Sequence, residues 1–187
     1  MKREFVEPRS DWRERLAAID FHIGVRADGS AYWREDQCYV LTEWEVEMFH
    51  DAATQAQRMI EAAVARVFAE GQVAALGVPP AILGLARESW KAKEPTLYGR
   101  MDFAWDGANA PVLLEFNADT PTALYEAAVV QWRWLVDRDP EADQFNSIQE
   151  KLVARWPAVA AGAKLVHFAT LRDVEEELLT TEYIREC

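Results

Sequence analysis

The sequence predicts an α/β (α+β) chain, long helices packed on a small mixed sheet, and three observations carry that expectation. Apolar residues recur at spacings of three and four between Val46 and Val67, the repeat of a long amphipathic helix. The stretch LYGRMDFAWDGANAPVLLEFN, residues 97–117, alternates at strand period on both sides of a Gly-containing loop. Half of the 187 residues are hydrophobic, eight Trp among them, which is enough for one sizeable core.

Each element follows from its own residues. A short helix is expected over 11–20, with Asp11 and Glu14 in capping-box spacing. The turn Asp28-Gly29-Ser30 leads into β-like pieces at 31–33 and 38–41. Thr42 and Glu45 form a second capping-box signature, opening the long helix whose apolar face is Val46, Phe49, Ala53, Ala56, Ile60, Ala63 and Val67. Gly71 is its stop. A further helix is expected over 80–91, before the hairpin. Beyond it, Thr120-Pro121 reads as a helix start, Thr to cap and Pro at the first helical position, with the helix running over 123–136. Another helix is expected over 141–160, a buried strand over 165–169 (LVHFA), and a polar helix from 171 carrying the acidic run 173–177. That last helix meets Cys187 without a glycine stop or a returning element, so the fold is expected to continue past 187.

The hairpin carries the chemistry. At strand period Tyr98, Arg100, Asp102 and Ala104 share one face, and Leu113, Glu115 and Asn117 share one face of the second strand. With 107–110 as the loop, Asp102 faces Glu115 and Arg100 faces Asn117. Opposed carboxylates repel, so something must compensate. A hard divalent cation such as Mg²⁺ takes carboxylate and amide oxygens, which Asp102, Glu115 and Asn117 supply. Arg100 suits a phosphate or a developing oxyanion, and a helix starting at Thr120-Pro121-Thr122 offers backbone N–H groups to an anion. Geometry alone leaves two readings of equal weight, a metal and phosphate site or a wet surface hairpin.

Composition limits the partners. A net charge of −12 argues against nucleic acid and is compatible with a polycationic small molecule, although solubility alone also accounts for it. No apolar run approaches a membrane span. Two cysteines, Cys38 and Cys187, fit a reducing, cytoplasmic setting. Cys38 has no paired His, and His22, His50 and His167 lack ligand spacing and read as structural.

The stretches DGSAYW, LYGRMDFAW, LLEFNADTPTALYEAAVVQWRW and DQFNSIQEKL together resemble the synthetase portion of the glutathionylspermidine synthase family. The resemblance runs along nearly the whole chain. It implies a partial ATP-grasp-like ligase fold and the N-terminal half of a synthetase, the pre-ATP-grasp region with the substrate and metal hairpin. The nucleotide pocket would then lie past 187. It also implies ATP- and Mg²⁺-dependent joining of a glutathione-like carboxylate to a spermidine-like amine through an acyl phosphate. By that resemblance Asp102, Glu115 and Asn117 are metal ligands and Arg100 is the catalytic cation for phosphate and carboxylate. Thr120 and Thr122 lie near the acyl substrate. Glu176 and Glu177, just before Thr180-x-x-Tyr183, lie in the amine region, where the bland alternative is a solvated helix face. The chain departs from the pattern at Gln149, where the family usually has His, and at Met101 and Phe116, which replace aromatic residues. Two rival functions remain, a non-catalytic anion- or metal-binding scaffold module and a metal-dependent phosphoesterase that would need further ligands or a base.

Overall fold

A computed structural model describes residues 1–26, 28–118 and 122–187. Strand β1 (Lys2–Phe5) pairs antiparallel with β2 (Gln37–Val40), and helix α1 (Trp12–Ala17) lies between them in sequence. The long helix α2 (Glu43–Ala69) leads through two short 3-10 turns to α3 (Leu83–Ala92). The hairpin is β3 (Arg100–Ala104) and β4 (Val112–Asn117). A π-helical turn, Glu126–Val130, runs into α4 (Gln131–Arg138), followed by α5 (Ile148–Val159) and α6 (Glu175–Glu186).

The class is mixed α and β as expected, but the single mixed sheet is not found among the described residues. Two separate two-stranded antiparallel sheets take its place. Strand β1, KREF, has no apolar alternation and escaped the pattern; it is recruited by pairing with β2. The piece at 31–33 makes only the bridge Val25↔Ala31, because Tyr32 and Trp33 both donate their N–H to the Gly24 carbonyl and turn inward. The expected strand at 165–169 is a loop. Leu165 is 70% exposed, and Phe168 packs its ring on Trp156, at 5.7 Å, rather than entering a ladder.

Local signals sort the helices. The Thr42 and Glu45 capping box forms with both bonds, and Gly71 at φ +70° closes the end of α2. Asp11 makes no cap; its carboxylate accepts from Arg15 Nε instead. The helix expected over 141–160 begins only at Ile148. Phe145 sits at φ +46°, and the Gln144 and Asn146 side-chain amides donate to the Ala127 carbonyl, which holds that segment off a helical path.

Two small cores hold the chain together. Leu16, Phe21 and Val130 form one, and Leu124, Leu152 and Tyr183 the other. Tyr125 packs against both, and its hydroxyl donates to the Ile19 carbonyl. Arg9, paired with buried Glu35 and with Asp137, ties the N-terminal segment to α4. Helix α2 is barely buried. Its apolar face, α3 and the hairpin line an open groove of about 2060 Å³. Among the described residues no helix is long and apolar enough to cross a membrane.

Candidate active site

The hairpin register answers the question its sequence raises. Arg100 pairs with Asn117, Met101 with Phe116, and Asp102 with Glu115, as the strand period predicts. Past Asp102 the register slips by one residue, so that Phe103 meets Leu113 and Leu114 is bulged out, 66% exposed. The bulge leaves the polar pairs in place. Gly99 has a reason to be glycine, since a Cβ there would lie 2.9 Å from the Phe116 ring.

Arg100 relieves the opposed carboxylates. Its Nε donates to Asp102 Oδ1 at 2.8 Å and its Nη2 to Oδ2 at 3.2 Å, while Nη2 lies 3.7 Å from Glu115 Oε1. Its Nη1 donates to the Thr122 carbonyl at 3.0 Å and reaches Oγ1 at 3.3 Å. All three guanidinium nitrogens are therefore engaged. These bonds hold the Asp102 carboxyl below its usual range and push Arg100 further up. Asn117 donates an amide N–H to Glu115 Oε1 at 2.8 Å, which leaves its amide oxygen as the atom it could offer a metal.

Two carboxylates against one guanidinium leave the cluster one negative charge in excess. Among the described residues no group of three His, Cys, Asp or Glu converges, so a metal-binding hairpin is not established by side-chain count. The donor set nevertheless suits Mg²⁺, which takes hard oxygens and commonly completes its shell with water and phosphate. Asp102, Glu115 and Asn117 are the residues that could hold it.

Thr120 and Pro121 lie outside the described residues, as does the expected helix start built on them. Thr122 is described and bound by Arg100. Ala123 follows at φ +65°, a left-handed conformation that costs a non-glycine residue about 1 kcal/mol. Leu124, fully buried, then anchors the turn. Thr122 and Glu177 line one cavity of about 470 Å³, so two of the predicted substrate residues meet there. Glu176 does not line it; it lies in the first turn of α6, close enough to Tyr32 to help raise that phenol. His167, read as structural, is exposed and lines the same cavity, and His22 and His50 are exposed as well.

The π-turn went unread in the sequence. It begins four residues after Thr122, and two of the quoted motifs close on it. Tyr32, from DGSAYW, donates its hydroxyl to the buried Glu126 carboxylate at 2.6 Å. Gln144, from DQFNSIQEKL, donates to the Ala127 carbonyl at 2.6 Å. A π-turn disturbs the i→i+4 ladder, and π-turns gather at functional sites. Gln149, in the place of the family's His, accepts a bond from the Tyr183 hydroxyl.

Comparison with known proteins places these features in a lineage. The model of the family described as glutathionylspermidine synthase preATP-grasp matches residues 3–187. A Haemophilus influenzae protein bearing the name acid–amine ligase is 34% identical over 184 residues, covering 95% of this chain and 47% of its own length. Glutathionylspermidine synthase of Crithidia fasciculata is 40% identical over 85 residues, 43% of this chain and 12% of that protein. Trypanothione synthetase of the same organism is 27% identical over 111 residues, 57% of this chain and 17% of that protein. The chain thus spans about half the length of the Haemophilus relative and less of the other two.

Proposed function

The chain belongs to the glutathionylspermidine synthase preATP-grasp family, and from that premise we propose that it forms the N-terminal half of an ATP-dependent carboxylate–amine ligase acting in the cytoplasm. The observation that carries the reading is the hairpin register, which sets Asp102 against Glu115 and Arg100 against Asn117 with Thr122 on the same guanidinium. In the proposed reaction a carboxylate oxygen of a peptide-like acid, glutathione being the family's example, attacks the γ-phosphorus of ATP. The bond to the ADP oxygen breaks and an acyl phosphate forms. The bound ammonium first loses a proton to solvent; the free amine nitrogen then attacks the acyl carbon, the carbon–oxygen bond breaks, and phosphate leaves, taking up the second proton that the nitrogen gives up.

Asp102, Glu115 and Asn117 would hold Mg²⁺, which when bound would supply positive charge beside the transferring phosphoryl group. Arg100 orients the acyl carboxylate and meets its negative charge. Asp102 holds Arg100 in the plane of the hairpin face, and Thr122 offers its hydroxyl beside the acyl group. Glu177, in the shared cavity, receives the amine as its ammonium. Nucleotide recognition belongs to the remainder of the longer protein.

Phosphate release by the complete protein tests this, with ATP, Mg²⁺, glutathione and an amine. Release that requires both acid and amine supports the ligase. Release from a phosphate ester without either favours the phosphoesterase, and no release, with Mg²⁺ or phosphate still bound, favours the scaffold module.

A further inference from the structure

The proposed reaction makes no use of the buried Glu126 carboxylate. That side chain is 7% exposed, it opens the π-turn, and its Oε1 accepts from the Tyr32 hydroxyl at 2.6 Å. The wide turn shows in the backbone, where Gln131 donates its N–H to the Glu126 carbonyl, five residues back instead of four. A carboxylate buried this deeply is costly unless a donor meets it. A well-packed apolar pair of similar volume is often as stable, so packing alone does not account for Tyr32 and Glu126.

Residues 122–126 form a strut held at both ends. At one end Thr122 receives Arg100 Nη1 on its carbonyl and its hydroxyl, at 3.0 and 3.3 Å. At the other, Leu124 is fully buried in the second core, Tyr125 donates its hydroxyl to the Ile19 carbonyl, and Glu126 accepts from Tyr32. Between them Ala123 sits at φ +65°, and its carbonyl accepts the Ala127 N–H at 3.2 Å. Backbone strain of this kind persists only where the surroundings fix both sides. A second observation sets Glu126 beside the hairpin. Burial raises the Tyr98 phenol, Arg100 lowers it, and Glu126 and Asp102 raise it. Tyr98 therefore stands within the fields of both the buried carboxylate and the charged face of β3.

On the ligase reading above, we infer that Tyr32 and Glu126 are positioning residues for the acyl step. Their hydrogen bond fixes the strut that carries Thr122, and Thr122 fixes the Arg100 guanidinium where the acyl carboxylate is to bind. Asp102 holds Nε and Nη2 of Arg100, and Thr122 holds Nη1. Without Thr122 the guanidinium is gripped along one edge only and swings about it. A swinging guanidinium meets the acyl carboxylate less often in the productive orientation, a loss that falls on the acid and not on ATP.

Phosphate release by the complete protein, with glutathione as the acid, and the nitrogen NMR signal of Arg100 in the chain test the inference. Tyr32→Phe should raise KM for glutathione about ten-fold and leave KM for ATP within about two-fold. Glu126→Gln keeps an acceptor for Tyr32 and should stay within about two-fold of wild type in both. Tyr32→Phe combined with Glu126→Leu regains stability, yet should keep the raised glutathione KM. A merely structural role would instead lower kcat in step with the folded fraction and leave every KM unchanged. In the chain itself the Arg100 Nε–H signal, identified by its loss in Arg100→Lys, should shift or broaden in Tyr32→Phe and in the double variant, and stay in place in Glu126→Gln. An unmoved Arg100 signal in Tyr32→Phe overturns the inference, as does an unchanged glutathione KM in an active protein. A double variant that recovers the signal and the KM along with its stability overturns it too. Failure of the ligase reading looks different: the wild-type complete protein releases no phosphate with any acid and amine offered, while the Arg100 signal still responds to Tyr32→Phe.

Discussion

At the scale of single residues the site turns on how Arg100 divides its bonds. Strand period placed Asp102 opposite Glu115 and called for compensation, and a cation was the expected answer. The structure supplies a nearer one, because Arg100 grips Asp102 with two nitrogens. This reverses the sign of one expectation. With the like charges alone, Asp102→Asn would leave stability equal or higher; with the Arg100 pair in place it removes a favourable contact. The pair is partly exposed, so the loss should be about 0.5–1 kcal/mol, while phosphate release by the complete ligase should disappear. Because the Asp102 carboxyl is held low in the folded chain, its contribution is present above about pH 4 and is lost as pH falls through the lower folded value. Urea titrations from pH 7 downward check both points: wild type and Asp102→Asn should differ at pH 7, and the difference should shrink as pH falls below about 4. The polar pairs were legible here because period two fixes the faces and the short loop at 107–110 sets the pairing, although the bulge past Asp102 left no mark in the pattern. The guanidinium's choice between Asp102 and a phosphate was not, since both lie within its reach.

Elements were legible where the signal was local. The Thr42 capping box and the hairpin declared themselves in a few residues, whereas β1 and the π-turn depended on partners far along the chain. Glu126 falls within an apparently ordinary helical stretch, and nothing in the 3.6 period marks the extra residue of a π-turn. What marks it in space is Tyr32, from a motif almost a hundred residues earlier. Tyr32→Phe should therefore cost about 1–3 kcal/mol, since it leaves the buried Glu126 carboxylate without its donor. Adding Glu126→Leu to it should recover part of that loss, and chemical denaturation of the single and double variants measures it. The hairpin loop offers a separate check. Asp106 accepts from the Ala108 and Asn109 N–H groups and from the Asn109 amide, which lowers its pKa to about 2. That order should persist above about pH 4 and fade as pH approaches about 2, visible as loss of protection of the Ala108 and Asn109 amide protons.

For the whole molecule, the question is how two small cores support so much helix. Leu124 and Tyr183 share one core, so the beginning of the segment after Thr122 and the end of α6 depend on each other. A last helix without its packing partner is expected to leave Leu171, Val174, Leu178 and Ile184 incompletely buried. Leu171 and Leu178 are indeed exposed, at 63% and 44%, but Ile184 packs on the second core beside Tyr183. Helical period alone could not separate them, because α6 buries a narrow stripe, Thr180 and Tyr183, in an otherwise polar sequence. Protection from hydrogen exchange should divide accordingly. Residues 161–174, without regular structure and mostly exposed, should exchange quickly, while Thr180, Tyr183 and Ile184 should be protected as strongly as 131–138 in α4. Tyr183→Ala should then remove protection from both α6 and Leu124, because one aromatic ring holds the two together; the expected cost is about 3–5 kcal/mol. If 175–187 exchanged as fast as 161–174 in the wild-type chain, the second core would not be formed in solution. The cavity between Thr122 and Glu177, which depends on that core for its floor, would fall with it.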